Sequence, residues 1–254
     1  MTVRPDPWSP LRRFTAARIA LGRAGGSLPT AEWLAFSAAH AAARDAVWSA
    51  LDLEALSADL APLGQPVLRV ASAAPDRLTY VQRPDLGRRL DEGSRRALSA
   101  AAPPGGCDVA LLVGDGLSAL AAARQAPAVL ARLVPALLDR GLSLGPLVLC
   151  TQARVALMDE VGAALGARLA VILLGERPGL GAADSLGAYL VHRPRPGRTD
   201  AERNCVSNIR PEGLPPAAAA DLLAWLACEA LQRALSGVAL KDERALTPAR
   251  TGPP

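Results

Sequence analysis

Apolar residues fall in two rhythms along this chain, and the change comes near Pro66. Residues 1–29 are rich in proline, arginine and glycine and predict an extended arm with at most one short helix near Phe14–Leu21. GRAGGS (Gly22–Ser27) breaks the arm, because glycine reaches positive φ without steric cost. Thr30 follows Pro29 and is placed to cap a helix running to about Leu51. A second helix is expected over Leu53–Leu63, stopped by Gly64 and Pro66.

Beyond Pro66, short continuous apolar runs alternate with longer helical ones. Strands are expected at Val67–Val70, Cys107–Val113, Pro146–Cys150, Arg168–Leu174 and Leu186–His192. Between them lie a helix capped by Asp85 or Asp91 and ended before Pro103, one from Ser118 to Arg140, and one over Val155–Leu165. Pro127 and Pro135 should kink or split the long one. A last helix opens after Pro215–Pro216, repeats Leu223, Ala227, Leu231 and Leu235 on one face, and closes at Gly237. Strands apolar at nearly every position are buried on both faces, which a parallel sheet between helices requires. The expected class is α/β: a Rossmann-like, mostly parallel sheet flanked by helices and preceded by an N-terminal helical extension. This divides the chain into residues 1–65, the α/β part 66–240, and a disordered tail 241–254, with no internal repeat.

Half of the 254 residues are hydrophobic, enough for a sizeable core and too many for a disordered chain. The 28 basic and 24 acidic residues leave +4, but Lys241 is the lone lysine, so the arginine excess reads as codon bias. Arginines also alternate with acids in RRLDEGSRR (Arg88–Arg96), with no aromatic interleaving, which argues against nucleic acid as a partner. The four cysteines are too scattered for a zinc ribbon or a disulfide scaffold, and free thiols in a reducing compartment are expected. There is no secretory signal and no run near the ~18 apolar residues of a membrane span, so a cytoplasmic protein is expected.

Ligands of open parallel sheets bind beyond the carboxyl ends of the strands. This selects GDG (Gly114–Gly116), TQARV (Thr151–Val155) and GERPG (Gly175–Gly179), with Asp115, Arg154, Glu176 and Arg177 as charged candidates. The blander alternatives are that Asp115 and Glu176 cap helices, or that Glu176 pairs with Arg154. Arg193–Gly213, with five arginines, shows neither helical nor strand period; it reads either as a binding loop for phosphate or carboxylate or as a solvated loop. No dinucleotide or phosphate-loop glycine pattern and no nucleophile elbow occurs, and His40 and His192 cannot make a metal cluster alone. Such a chain reads as a subunit whose catalytic partner is another polypeptide. A non-catalytic α/β module for some other anionic or nucleotide-like ligand is the alternative.

An ordered set of blocks then carries a resemblance. They are LRRFTAARIALGRAGGSLPT (Leu11–Thr30), AHAAARDAV (Ala39–Val47), PDRLTYVQRPDLGRRLD (Pro75–Asp91), DGLSA (Asp115–Ala119), ARVALMDEVG (Ala153–Gly162), LLGERPGL, DSLGAYL and GRTDAERNCVSNIRPEG. Together they resemble the small (light) subunit of ethanolamine ammonia-lyase. The resemblance implies an adenosylcobalamin enzyme converting ethanolamine to acetaldehyde and ammonia by radical chemistry, with the substrate site on a large-subunit barrel. It also implies cofactor contacts from Val155, Glu176 and Cys205, and no catalytic residue or metal ligand of this chain's own. Neither histidine lies in D-x-H-x-x-G, the motif that replaces the cofactor's lower base, so base-on binding is expected. The chain departs from the pattern at Ser37 and Trp48, in the segment expected to meet the large subunit. Enclosure in a bacterial microcompartment stays open at this point.

Overall fold

A computed structural model describes residues 2–244. The arm holds a 3-10 turn at Ser9–Phe14, and residues 15–21 are not helical, so the expected short helix lies earlier and is tighter. Helix α1 spans Thr30–Trp48; Pro29 is its N-cap, and Thr30 is its first residue rather than its cap. Helix α2 (Leu53–Leu60) is capped by Asp52, whose carboxylate accepts from the Glu54 and Ala55 amides at 3.0 Å, and it continues as a 3-10 turn to Leu63. Then follow strand β1 (Val67–Ala71), α3 (Arg77–Gln82) and α4 (Glu92–Ala101), with Asp91 as the α4 cap. Strand β2 (Cys107–Gly114) leads to α5 (Ala119–Leu138), capped by Ser118. Next come β3 (Leu147–Thr151), α6 (Leu157–Ala164), β4 (Ala167–Gly175) and β5 (Leu186–His192), and finally β6 (Asn204–Ile209) and α7 (Pro216–Arg233).

Three expectations need correction. Helix α5 is not split at Pro127 or Pro135 but continues as one helix through both. Each proline removes the hydrogen bond to the carbonyl four residues earlier, but those carbonyls belong to Ala123 and Ala131, which are exposed and so open to solvent. Helix α7 ends at Arg233, with Ala234 as its left-handed C-cap at φ 54°, whereas Gly237 opens a short 3-10 turn. Strand β6 lies inside Arg193–Gly213, which is therefore not irregular throughout. The disorder expected from Lys241 falls mostly on residues 245–254, outside the described ones; before them, Arg233 donates to Glu243 at 3.0 Å.

The fold is mixed α/β around a six-stranded sheet of order β1-β3-β2-β4-β5-β6. The first four strands are parallel; β5 runs against β4, and β6 against β5. The connection from Glu176 to Ser185 holds no helix and is too short for a crossover, so β5 must return antiparallel. On one face, Leu111, Leu149, Val171 and Leu173 pack with α2, α5 and α7. On the other, Leu112, Val148, Cys150 and Ile172 pack with residues of α4 and α6. All four cysteines are free thiols, as expected. Among the described residues no helix is long and apolar enough to cross a membrane.

Candidate functional site at the sheet's carboxyl ends

The chain steps from β1 past β3 to β2 in one direction across the sheet and from β2 back to β3 in the other, so its direction reverses at β2. Two glycines let the connecting loops close over this point. A Cβ on Gly114 would stand 2.8 Å from Ala153 Cβ and 2.7 Å from Leu174 Cδ1, so the β3–α6 loop can pass directly above the end of β2. Gly116, at φ +54°, lies against the Gly175 carbonyl where no side chain fits.

Asp115 fastens this crossing. Its carboxylate accepts from the Gln152 and Ala153 amides, both at 3.0 Å, and from Arg77 Nη1 at 3.2 Å. Burial pushes the acid above the ordinary carboxylate range, and the two amides and Arg77 act against that. Asp115 is thus a loop anchor rather than a ligand group. Tyr80 sits below the same loop, fully buried between the guanidiniums of Arg77 and Arg154 at 4.7 and 4.3 Å, with its hydroxyl donating to Ala153 O at 2.9 Å. A Tyr80→Phe chain should lose about 1–2 kcal/mol, because the Ala153 carbonyl is left without that donor. Urea unfolding measures this; an unchanged midpoint would contradict the anchoring role. Nothing in the spacing of Pro75–Asp91 marks Tyr80 or Arg77 for it.

Of the charged candidates, Arg154 donates to Tyr80 O at 3.2 Å and does not meet Glu176. Arg177 is exposed and forms no ion pair among the described residues. Glu176 caps no helix. Its carboxylate accepts from Ser185 Oγ at 2.5 Å and from the Asn208 amide, shared between both oxygens at 3.3 and 3.4 Å. Those contacts leave acceptor positions free on a half-exposed group.

Cys205 is on strand β6, opposite Tyr189 of β5, which in turn opposes Ile172 of β4. These residues share the sheet face that α6 covers over β2 and β4. Further along that face Tyr189 is half-buried, while Cys205 and Ser207 are exposed. Desolvation raises the Cys205 thiol, the Glu176 charge adds to it and the Tyr189 hydroxyl opposes it, so the group stays protonated near neutral pH. Glu176 and Cys205 are therefore electrostatic neighbours. Val155 stands just before α6, half-buried against the apolar cluster beneath that helix, and bonds to neither. Ser185 and Asn208, which hold Glu176, escape sequence reasoning because the antiparallel return of β5 and β6 is what brings them to β4.

The arginines of Arg193–Gly213 are largely used inside the chain. Arg198 pairs with Glu202 and donates to His192 O at 2.9 Å; Arg203 is buried against Asp159. The Thr199 amide, followed by Arg198, holds Glu202 down at about 2. Arg193 and Arg195 stay exposed on the same segment.

A family model for ethanolamine ammonia-lyase light chain (EutC) matches residues 5–241. The chain belongs to this family. An ethanolamine ammonia-lyase small subunit from Ralstonia nicotianae is 56% identical over 243 residues, covering 95% of this chain and 90% of that protein. The small subunit from Pseudomonas syringae pv. tomato is 54% identical over 243 residues, covering 95% and 85%. That from Bradyrhizobium diazoefficiens is 54% identical over 240 residues, covering 94% and 92%. As an ethanolamine ammonia-lyase light chain, this polypeptide is one member of a lyase complex, and the name implies a larger partner.

Proposed function

We propose that this light chain forms one wall of an adenosylcobalamin site in ethanolamine ammonia-lyase, while the large subunit carries the substrate site. The observation that carries the proposal is Glu176: a half-exposed carboxylate with spare acceptor capacity, beside an uncovered sheet face that includes Tyr189, Cys205 and Ser207. The free acceptor positions of Glu176 suit the amide-fringed rim of a corrin, whose side-chain N–H groups need acceptors. The reversal of chain direction at β2 supports a Rossmann-like use of the crevice. Val155 would add apolar or backbone contact from the α6 side, and Cys205, kept protonated, would offer a weak donor and a small apolar surface.

When bound, the cofactor supplies radical initiation at its cobalt–carbon bond; this chain orients it and excludes water. Base-on binding is supported by the placement of His192. That residue opposes Leu169 at the start of β4, five residues along β5 from Gly187 and so about 17 Å from the Glu176 end. His40 is exposed on α1.

Residues 1–65 would supply the large-subunit contact. Trp8, Trp33 and Trp48 are exposed, and within residues 2–48 only Pro29 and Ala46 are buried. The free cysteines suit a cytoplasmic setting, with or without a surrounding microcompartment.

The direct test combines this chain with its large subunit and measures adenosylcobalamin-dependent acetaldehyde formation. No activity above that of the large subunit alone would overturn the assignment. Glu176→Ala should raise the apparent KM for adenosylcobalamin about tenfold to a hundredfold, the loss of a charged acceptor. The KM for ethanolamine should stay nearly constant; if it changes first, Glu176 faces the wrong ligand.

A further inference from the structure

Strand β6 is not regular beside Glu176. Leu186 opposes Ile209 and Ala188 opposes Val206, so two steps along β5 answer to three along β6. The extra residue lies in the Ser207–Asn208 stretch, and Asn208 is left-handed at φ 58°. Asparagine tolerates that region better than most residues, and bulges of this kind re-aim groups next to binding sites. Here the group re-aimed is the Asn208 amide, which points at the Glu176 carboxylate at 3.3 and 3.4 Å.

The bulge is clamped from three directions. Asn208 O accepts from the Leu214 amide at 2.8 Å. Gly213 makes room for it, since a Cβ there would stand 2.5 Å from Asn208 Nδ2 and collide with its carbonyl. Arg210 then donates from Nε to Asn208 Oδ1 at 3.0 Å and from Nη1 to Gly181 O at 2.9 Å, with Glu212 a further 4.0 Å contact. One guanidinium thus ties the bulge to the loop that follows Glu176. That loop is also held from the arm, by Arg18 Nη2 on Leu180 O at 3.2 Å.

We propose that Asn208 and Arg210 are positioning residues for Glu176: the bulge presents an amide to the carboxylate, and Arg210 locks the bulge and the 177–182 loop in one arrangement. Neither residue needs to touch the cofactor. The inference rests on Glu176 being a cofactor contact, and a double-mutant cycle separates the two.

The complex with the large subunit is titrated with adenosylcobalamin, and binding is followed by the cofactor's visible absorption rather than by turnover. Four forms are compared: the parent, Arg210→Met, Glu176→Ala and the double variant. Arg210→Met should weaken binding about fivefold to tenfold in the parent, and change it less than about twofold once Glu176 is alanine. Asn208→Gly keeps the amide and the left-handed backbone but loses the tie to Arg210, so it should match Arg210→Met. Amide hydrogen exchange at Asn208 in the complex without added cofactor gives a second readout, and Glu176→Ala should speed it.

Additive losses from Glu176→Ala and Arg210→Met would overturn the positioning role and leave Glu176 as a contact. An unchanged affinity in Glu176→Ala would overturn both assignments. Equal Asn208 exchange in the parent and Glu176→Ala would overturn the amide–carboxylate link itself.

Discussion

An Arg203→Met chain should be about 3–5 kcal/mol less stable than the parent, because it strands the Asp159 carboxylate in the interior. The Arg203 side chain is 2% exposed and that of Asp159 3%, and they form an ion pair joining the segment before β6 to α6. Arg203 also donates from Nη1 to Arg198 O at 3.2 Å and to Asp200 at 3.3 Å. The pair is incompletely satisfied, since Asp159 Oδ1 and Arg203 Nε have no partner. Replacing both residues, as Asp159→Leu with Arg203→Met, should therefore recover most of the loss. Denaturant unfolding of the single and double variants measures this; a double variant as unstable as the single would show that the pair itself stabilises the fold.

The same pair predicts a pH dependence. Burial pushes Asp159 up to about 6, although Arg203 beside it acts in the opposite direction. A folded-state value above the unfolded one means that the folded chain holds this proton more tightly. Its contribution is present at low pH and is lost as pH climbs from about 4 to about 6. Without Arg203 the acid rises further, so the deficit of the single variant should be larger at about pH 8 than near pH 5. A deficit independent of pH would assign the effect to lost packing alone.

Gly175→Ala should cost about 3 kcal/mol or more, because overpacking here meets backbone rather than mobile side chains. Gly175 ends β4, and a Cβ would collide with the Ser118 carbonyl and stand 2.5 Å from that of Asp115. Relief requires β4 to move away from the turn that opens α5, and Glu176 is the next residue in the chain. Stability and cofactor affinity should fall together. Gly181→Ala is the control: nothing lies within 4 Å of its Cβ position, and it should change stability by less than about 0.5 kcal/mol. If the two variants behave alike, the strand end is more pliable than its geometry indicates.

Most of the sheet was legible in the residues. Strands β2, β3 and β4 are buried on both faces and announce themselves as apolar runs, and the strand-end rule then reaches Glu176 and the loop before Val155. Strand β6 was not legible, and the bulge explains why. Its inward residues are Val206 and Ile209, three apart instead of two, so the alternation that marks a half-buried strand is broken. Its neighbours Arg198 and Arg203 look solvent-directed in sequence but are half-buried and buried, through partners far along the chain. Asp115 was visible as a charged strand-end residue, yet its role depends on the amides of Gln152 and Ala153, which only the fold delivers.

The layer formed by α2, α5 and α7 has a consequence for synthesis. Leu223, Ala227 and Leu231 of α7 pack in the same apolar cluster as Leu56, Leu60, Leu130 and Leu133, over the face that includes Leu173 and Leu190. On the ribosome, the strands and the first two of these helices emerge well before α7. The nascent light chain therefore carries part of this apolar sheet face uncovered until α7 leaves the exit tunnel. Docking of α7, rather than completion of the sheet, is the step that closes this apolar face.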